Sequence, residues 1–190
     1  MEEQHIDVCD QTVAFLGGLQ SSDVNYLRKL TPKEHDFFRS LDVDFRINKA
    51  YLALGDRDIL HKFRAFCISR CVKLRYGYKQ YSLSDYISLI KDNFEYDDSS
   101  GQDKELTFIY CNKQSDYEKF ENWMFITLIS NLAYRNEKGL PTVVLSERDI
   151  KPLRNSGEFD EIINLSGTQT RQKMKNNLLG GSFSSNGTSF

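Results

Sequence analysis

The sequence predicts a doubly wound α/β domain, a mainly parallel sheet with helices on both faces. Three observations predict it. Tyr51–Leu54, Leu106–Tyr110 and Thr142–Leu145 are short apolar runs rich in strand formers. They do not alternate with polar residues, as expected of strands buried on both faces. Between the last two runs lies a segment with helical spacing, Phe120, Trp123, Met124, Thr127, Leu128 and Leu132, widened by Phe125, Ile126 and Ile129. A helical crossover of that kind is what parallel neighbours require. Finally, strand-like and helix-like segments alternate from residue 51 to residue 165, which selects the α/β class.

The elements follow in order. Ser21-Ser22-Asp23 caps a short helix carrying Val24, Leu27 and Leu30. Thr31-Pro32-Lys33-Glu34 has the form of a capping box with proline at the first helical position, and the helix carries Phe37, Phe38 and Leu41. Gly55 ends the first buried strand. Residues 57–73 then place Ile59, Leu60, Phe63, Phe66, Cys67 and Cys71 on one helical face. Lys79–Ser82 reads as a strand and Ser82–Asp85 as the cap of a helix bearing Tyr86, Leu89, Ile90 and Phe94. Asp92–Glu105 holds six acids and one lysine and reads as a solvated loop without calcium-loop spacing. Gly139-Leu140-Pro141 turns the chain, Asp149–Arg154 forms a short helical turn, and Ile162–Leu165 is the last strand. Residues 1–45 therefore form an N-terminal helical segment, 46–178 the α/β domain and 179–190 a Gly/Ser/Asn-rich tail.

Bulk composition excludes some functions. The chain has 190 residues and a formal net charge of −2, so it has no general affinity for nucleic acid or anionic membrane. No apolar run approaches the ~20 residues of a membrane span. Cys9, Cys67, Cys71 and Cys111 lack metal-site spacing and fit a reducing, cytoplasmic setting. Charge is nonetheless polarised: residues 1–10 hold four acids, whereas 170–178 hold Arg171, Lys173 and Lys175 and no acid. Arg70, Lys73 and Arg75 form a second basic cluster at the exit of the 57–73 helix. They complement its dipole and also offer a phosphate-contacting edge.

In an open α/β sheet the ligand sits outside the carboxyl ends of the strands. A phosphate loop after the first strand has the form G-x-x-x-x-G-K-[ST]. Here Gly55 fits the first position, Leu60 replaces the second glycine, His61 the lysine and Lys62 the hydroxyl residue. Asp56 and Asp58 add negative charge where phosphates would lie. Lys62, one place late, points about 100° round the helix. The third strand ends Ile109-Tyr110-Cys111-Asn112, without the acid that positions magnesium.

This order of segments resembles the bacterial helicase-loader group of AAA+ P-loop ATPases, the DnaC/DnaI-like loaders and IstB-like transposition helpers, over about Asn48–Lys173. AYLALG resembles the strand before the phosphate loop, and ELTFIYC the strand that carries the catalytic acid. FENWMFITLISNLAYRNEKGLPTVVLSE resembles the helix, turn and sensor strand, with Glu147 where the family commonly has Asn. EIINLSGTQTRQK resembles the final strand and arginine, which puts Arg171 at the arginine that meets nucleotide or a neighbouring subunit. The resemblance implies a P-loop NTPase-like (AAA+-like) fold, and as partners a replicative helicase or related ATPase, single-stranded DNA, or like subunits in a homo- or hetero-oligomer. It does not carry over hydrolysis, because the lysine and acid positions are not retained. The expected function is a non-catalytic helicase-loader-like module acting by protein or DNA contact in replication or mobile-element transactions. Its expected contacts are Arg171, Lys173, Lys175, Arg70, Lys73 and Arg75, with no cofactor or metal. Two alternatives remain: an ATPase in which His61 or Lys62 contacts phosphate and Asp116 or Glu118 assists magnesium, and an α/β scaffold without a nucleic-acid role.

Overall fold

The computed structural model describes residues 21–41, 49–92, 105–111, 122–166 and 170–173. Helices α1 (Ser21–Arg28) and α2 (Pro32–Ser40) precede β1 (Ala50–Leu54) and α3 (Arg57–Lys73). Then come β2 (Tyr78–Ser82), α4 (Leu83–Asp92), β3 (Leu106–Cys111), α5 (Asn122–Lys138), β4 (Thr142–Ser146), α6 (Lys151–Arg154), β5 (Glu161–Asn164) and β6 (Thr170–Lys173). The strands form one sheet in the order β2-β3-β4-β1-β5-β6. The pairings from β2 through to β5 are all parallel. The first strand thus lies inside the sheet, between β4 and β5, in a P-loop NTPase-like α/β arrangement.

Alternation along the strands divides the core between two sheet faces. Tyr51, Ala53, Phe108, Tyr110, Val143, Leu145 and Ile163 pack with α3 and with Phe38 and Leu41 of the N-terminal region. Leu52, Ile109, Cys111, Val144 and Ile162 pack with side chains of α4, α5 and α6. Every residue of β3 and β4 is buried, as the unbroken apolar runs require. The capping box forms as expected: the Thr31 backbone N–H donates to Glu34 Oε2 at 2.7 Å, and the Glu34 N–H to Thr31 Oγ1 at 3.3 Å. Cys67, Cys71 and Cys111 are buried free thiols, and burial pushes the Cys71 thiol up to about 12.

Two expectations are corrected. Ile126 does not widen the buried face of α5: it is 65% exposed, while Leu128 and Leu132 are fully buried. With a helical repeat of 3.6, Ile126 lies about 160° from Leu128 and falls on the far side. The segment after residue 169 also contributes a strand. β6 pairs antiparallel with β5, with Arg171 opposite Ile163 and Lys173 opposite Glu161. Its polar composition suits an edge strand, which periodicity alone does not flag. Cys9, Phe94, Asp116, Glu118, Phe120, Lys175, most of the acidic loop and the tail lie outside the described residues, as do the side chains of Trp123, Met124 and Phe125. No helix of the described residues is long and apolar enough to cross a membrane.

One buried charge ties α5 to the sheet. Arg135 is 1% exposed; its Nε donates to Thr142 Oγ1 at 2.8 Å and its Nη2 to Thr107 Oγ1 at 2.7 Å. It clamps the starts of β3 and β4 across their shared ladder. Arg135→Ala is therefore expected to lower unfolding stability by about 2–5 kcal/mol, from a cavity plus two deserted hydroxyls. Urea denaturation checks this, and a midpoint within error of the unaltered chain would contradict the clamp.

Candidate functional site

The carboxyl ends of β1 and β4 meet where Gly55 donates its backbone N–H to Ser146 O at 3.2 Å. Here a sheet of this kind places its ligand. Between β1 and α3 there are only Gly55 and Asp56. Asp56 is the N-cap of α3, and its Oδ1 accepts from the Ile59 N–H at 3.0 Å. An internal carboxylate thus takes one of the donors a phosphate would use. A Cβ on Gly55 would stand 2.6 Å from Ile59 Cγ2 and 3.1 Å from Leu165 Cβ. Glycine is needed here for helix-to-strand packing, and packed side chains occupy the space beside it.

Each position expected to grip phosphate is otherwise engaged. Lys62 is buried on the α2 side of α3, with its Nζ 2.9 Å from Asp58 Oδ2 and 3.1 Å from Glu34 Oε1. Burial works against the Lys62 ammonium, but the bonds to Asp58 and Glu34 outweigh it and hold its pKa above the ordinary value. Burial likewise tends to raise the Glu34 carboxyl, yet the Thr31 backbone and Lys62 bonds bring it below the usual range. His61, in the lysine position, stacks on Tyr110 with ring centroids 4.9 Å apart, and on Tyr26 of α1 at 4.9 Å. Tyr110 lies near the carboxyl end of β3, in the segment Ile109–Asn112 in which the sequence lacks the expected acid. The residue read in the lysine position is therefore in ring contact with the carboxyl end of β3.

Several polar atoms around this stack are buried without hydrogen-bond partners: His61 Nδ1, the Tyr110 hydroxyl and Glu147 Oε1. Burial, then the Glu147 carboxylate, drives the Tyr110 phenol well above its ordinary range. Burial, then the cations Arg64 and Arg57, lowers the His61 pKa. Arg57, His61 and Arg64 follow one another at i, i+4 and i+7, along one face of α3. Arg64 Nη2 donates to Asp23 Oδ1 of α1 at 2.6 Å, and Asp23 is fully buried. The spacing of this basic stripe was visible in the sequence; its partners on α1 were not.

The two expected basic clusters do not come together. Arg70, Lys73 and Arg75 stand at the far end of α3, and Arg75 lies three residues before the edge strand β2. Lys73 and Arg75 are exposed, and Arg75 has a left-handed φ of 53°. Arg171 and Lys173 stand on the opposite edge strand, β6. Six strands at a spacing of about 4.8 Å put these edges about 24 Å apart. Among the described residues no cluster of His, Cys, Asp and Glu could hold a metal ion.

The His61 stack gives the fold a pH dependence with a definite sign. A histidine whose pKa is lowered by folding contributes stability that is complete above its unfolded value, about 6.5, and lost as pH falls through the folded value. Acidification from about pH 7 to about pH 5 is expected to lower the urea midpoint, and His61→Phe to flatten that drop. An equally steep loss in the variant would assign the acid sensitivity elsewhere.

No protein-family model matches this chain, and no curated protein does. Among solved structures, the chain is similar to the replication initiator DnaA bound to AMPPCP and single-stranded DNA, with 10% identity and a TM-score of 0.46 over 70% of this chain and 46% of that one. A DNA replication initiation factor gives 10% identity and a TM-score of 0.44, over 70% and 44% of the two chains. PCH-2 of C. elegans gives 11% and 0.37, over 84% and 42%. The chain thus spans less than half the length of each of these structures.

Proposed function

We propose that this chain is a non-catalytic AAA+ module, helicase-loader-like, which acts by contact with protein or DNA in replication or mobile-element transactions. The observation that carries the non-catalytic part is the His61–Tyr110 stack at 4.9 Å. A nucleotide triphosphatase needs a lysine on one side of the magnesium phosphate and a carboxylate on the other. Here His61, read in the lysine position, stacks on Tyr110 at the end of β3, and Lys62, the next residue, is held by two acids. The helix N-terminus beside them is capped by Asp56. This reading gives the site no phosphoryl transfer and no cofactor. The contact part rests on the sequence resemblance and on the basic residues it singles out: Arg171 and Lys173 on β6, Lys175 beyond it, and Arg70, Lys73 and Arg75 at the β2 edge. The partners proposed are a replicative helicase or related ATPase, single-stranded DNA, or further subunits.

Calorimetric titration with ATP and magnesium tests the first part. No saturable binding is expected, and Lys62→Ala should lower stability without changing any nucleotide signal. Magnesium-dependent ATP binding that disappears in Lys62→Ala would replace this reading with an ATPase of divergent phosphate loop. In the same preparation, capture of partners from the host extract should weaken on Arg171→Ala/Lys173→Ala; capture unchanged by both substitutions would remove β6 as the contact.

A further inference from the structure

We propose that the Arg57–His61–Arg64 stripe of α3 is a binding site for a nucleotide unit, a base with its phosphate, and that α1 occupies it as an internal stand-in. The inference rests on the nucleic-acid half of the function proposed above, but it names a different surface from β6.

The contacts between α1 and α3 are of two kinds. Tyr26 lays its ring on His61 at 4.9 Å and 12° between planes, and Asp23 places a carboxylate on Arg64 at 2.6 Å. An aromatic ring stacked on a ring beside an anion on a guanidinium is the pair of contacts a nucleotide makes with a single-strand-binding protein. Both pairs are three residues apart on their own helix, so they form as one unit.

The stand-in fits its site incompletely. Only Nη2 of Arg64 is bonded to Asp23, in a one-point contact, while Arg64 Nε and Asp23 Oδ2 are both buried without a hydrogen-bond partner. A guanidinium fork satisfies both donors on a phosphate or a well-set carboxylate. The Tyr110 hydroxyl behind His61 is also buried without a partner, on a residue 8% exposed. Arg57 at the open end of the stripe is exposed and has no ion pair among the described residues.

The cover is held by the Asp23–Arg64 pair, the Tyr26–His61 stack and the packing of Val24 and Leu27. Asp23 is the one fully buried residue of α1, and its apolar Val24 and Leu27 are half-buried. By contrast α2 carries Phe38 entirely inside the core. Lifting α1 would leave His61 backed by Tyr110 as a stacking platform, with Arg64 and Arg57 on either side along the helix.

Anisotropy of a fluorescein-labelled oligothymidylate of about 15 nucleotides tests the proposal with the full chain at low salt. Asp23→Asn/Tyr26→Ala is expected to bind at least about tenfold tighter than the unaltered chain, with affinity falling as salt rises. Adding Arg64→Ala should abolish that gain. Competition by thymidine monophosphate would identify a free nucleotide as the ligand; failure of a millimolar excess to compete would identify the strand. Equal affinity for the double variant and the unaltered chain, or a gain that survives Arg64→Ala, overturns the proposal. If the double variant does not fold, Tyr26→Ala alone decides: it keeps the ion pair, and a gain of about threefold supports the site while none rejects it. Arg171→Ala/Lys173→Ala in the same background separates the two readings. Its loss of basal binding reports on β6, and the gain from uncovering α3 should persist.

Discussion

The β1–α3 junction constrains everything built around it. Only Gly55 and Asp56 separate strand from helix, and Gly55 is wedged against Ile59 and Leu165. A phosphate loop works because its chain bulges away from the helix and points several N–H groups inward. Here the chain has no such bulge. The helix starts at once, its cap is a carboxylate of its own, and its first apolar side chain packs against the end of β5. The junction is built for core packing.

That choice leaves α3 with cations that must be answered from elsewhere. Arg57 stands in its first turn, where the helix dipole disfavours positive charge, and Lys62 and Arg64 follow farther along the helix. The N-terminal helices supply the counter-charges: Asp23 on Arg64 and Glu34 on Lys62. Glu34 serves twice, since the carboxylate that closes the capping box of α2 also accepts from Lys62. Deleting one partner of such a buried pair costs about 3–5 kcal/mol, because the other charge is left in a poor dielectric. The N-terminal helices are therefore part of the electrostatics of α3 as well as of its apolar packing.

The sheet and most helices were legible because their signals are local. Unbroken apolar runs marked β1, β3 and β4, and the Thr31–Glu34 pattern marked the start of α2 with its cap. The 57–73 helix was read with the bounds it has. What was not legible is long-range. Lys62 read as a misplaced phosphate ligand because Glu34, 28 residues earlier, cannot be assigned to it from spacing. Tyr26 and Tyr110 flank His61 from elements on either side of it in sequence, and no periodicity links three such positions. β6 escaped because an edge strand needs no apolar pattern: one side of its ladder is open to water. Ile126 was assigned inward by hydrophobicity alone, although its angle on the helix put it outward.

His61 and Tyr110, read apart in the sequence, are structurally coupled. In the sequence they are two unrelated residues on segments nearly fifty residues apart. In the fold their rings touch, so each is the packing partner of the other. A lysine at 61 would set an ammonium on the face of Tyr110. An acid at 110 would bury a carboxylate beneath His61. Either substitution alone leaves a buried charge or a void at the α3–sheet interface. The two rings thus hold each other in place between α3 and the sheet, and at the neighbouring junction a side chain on Gly55 would meet Ile59 and Leu165.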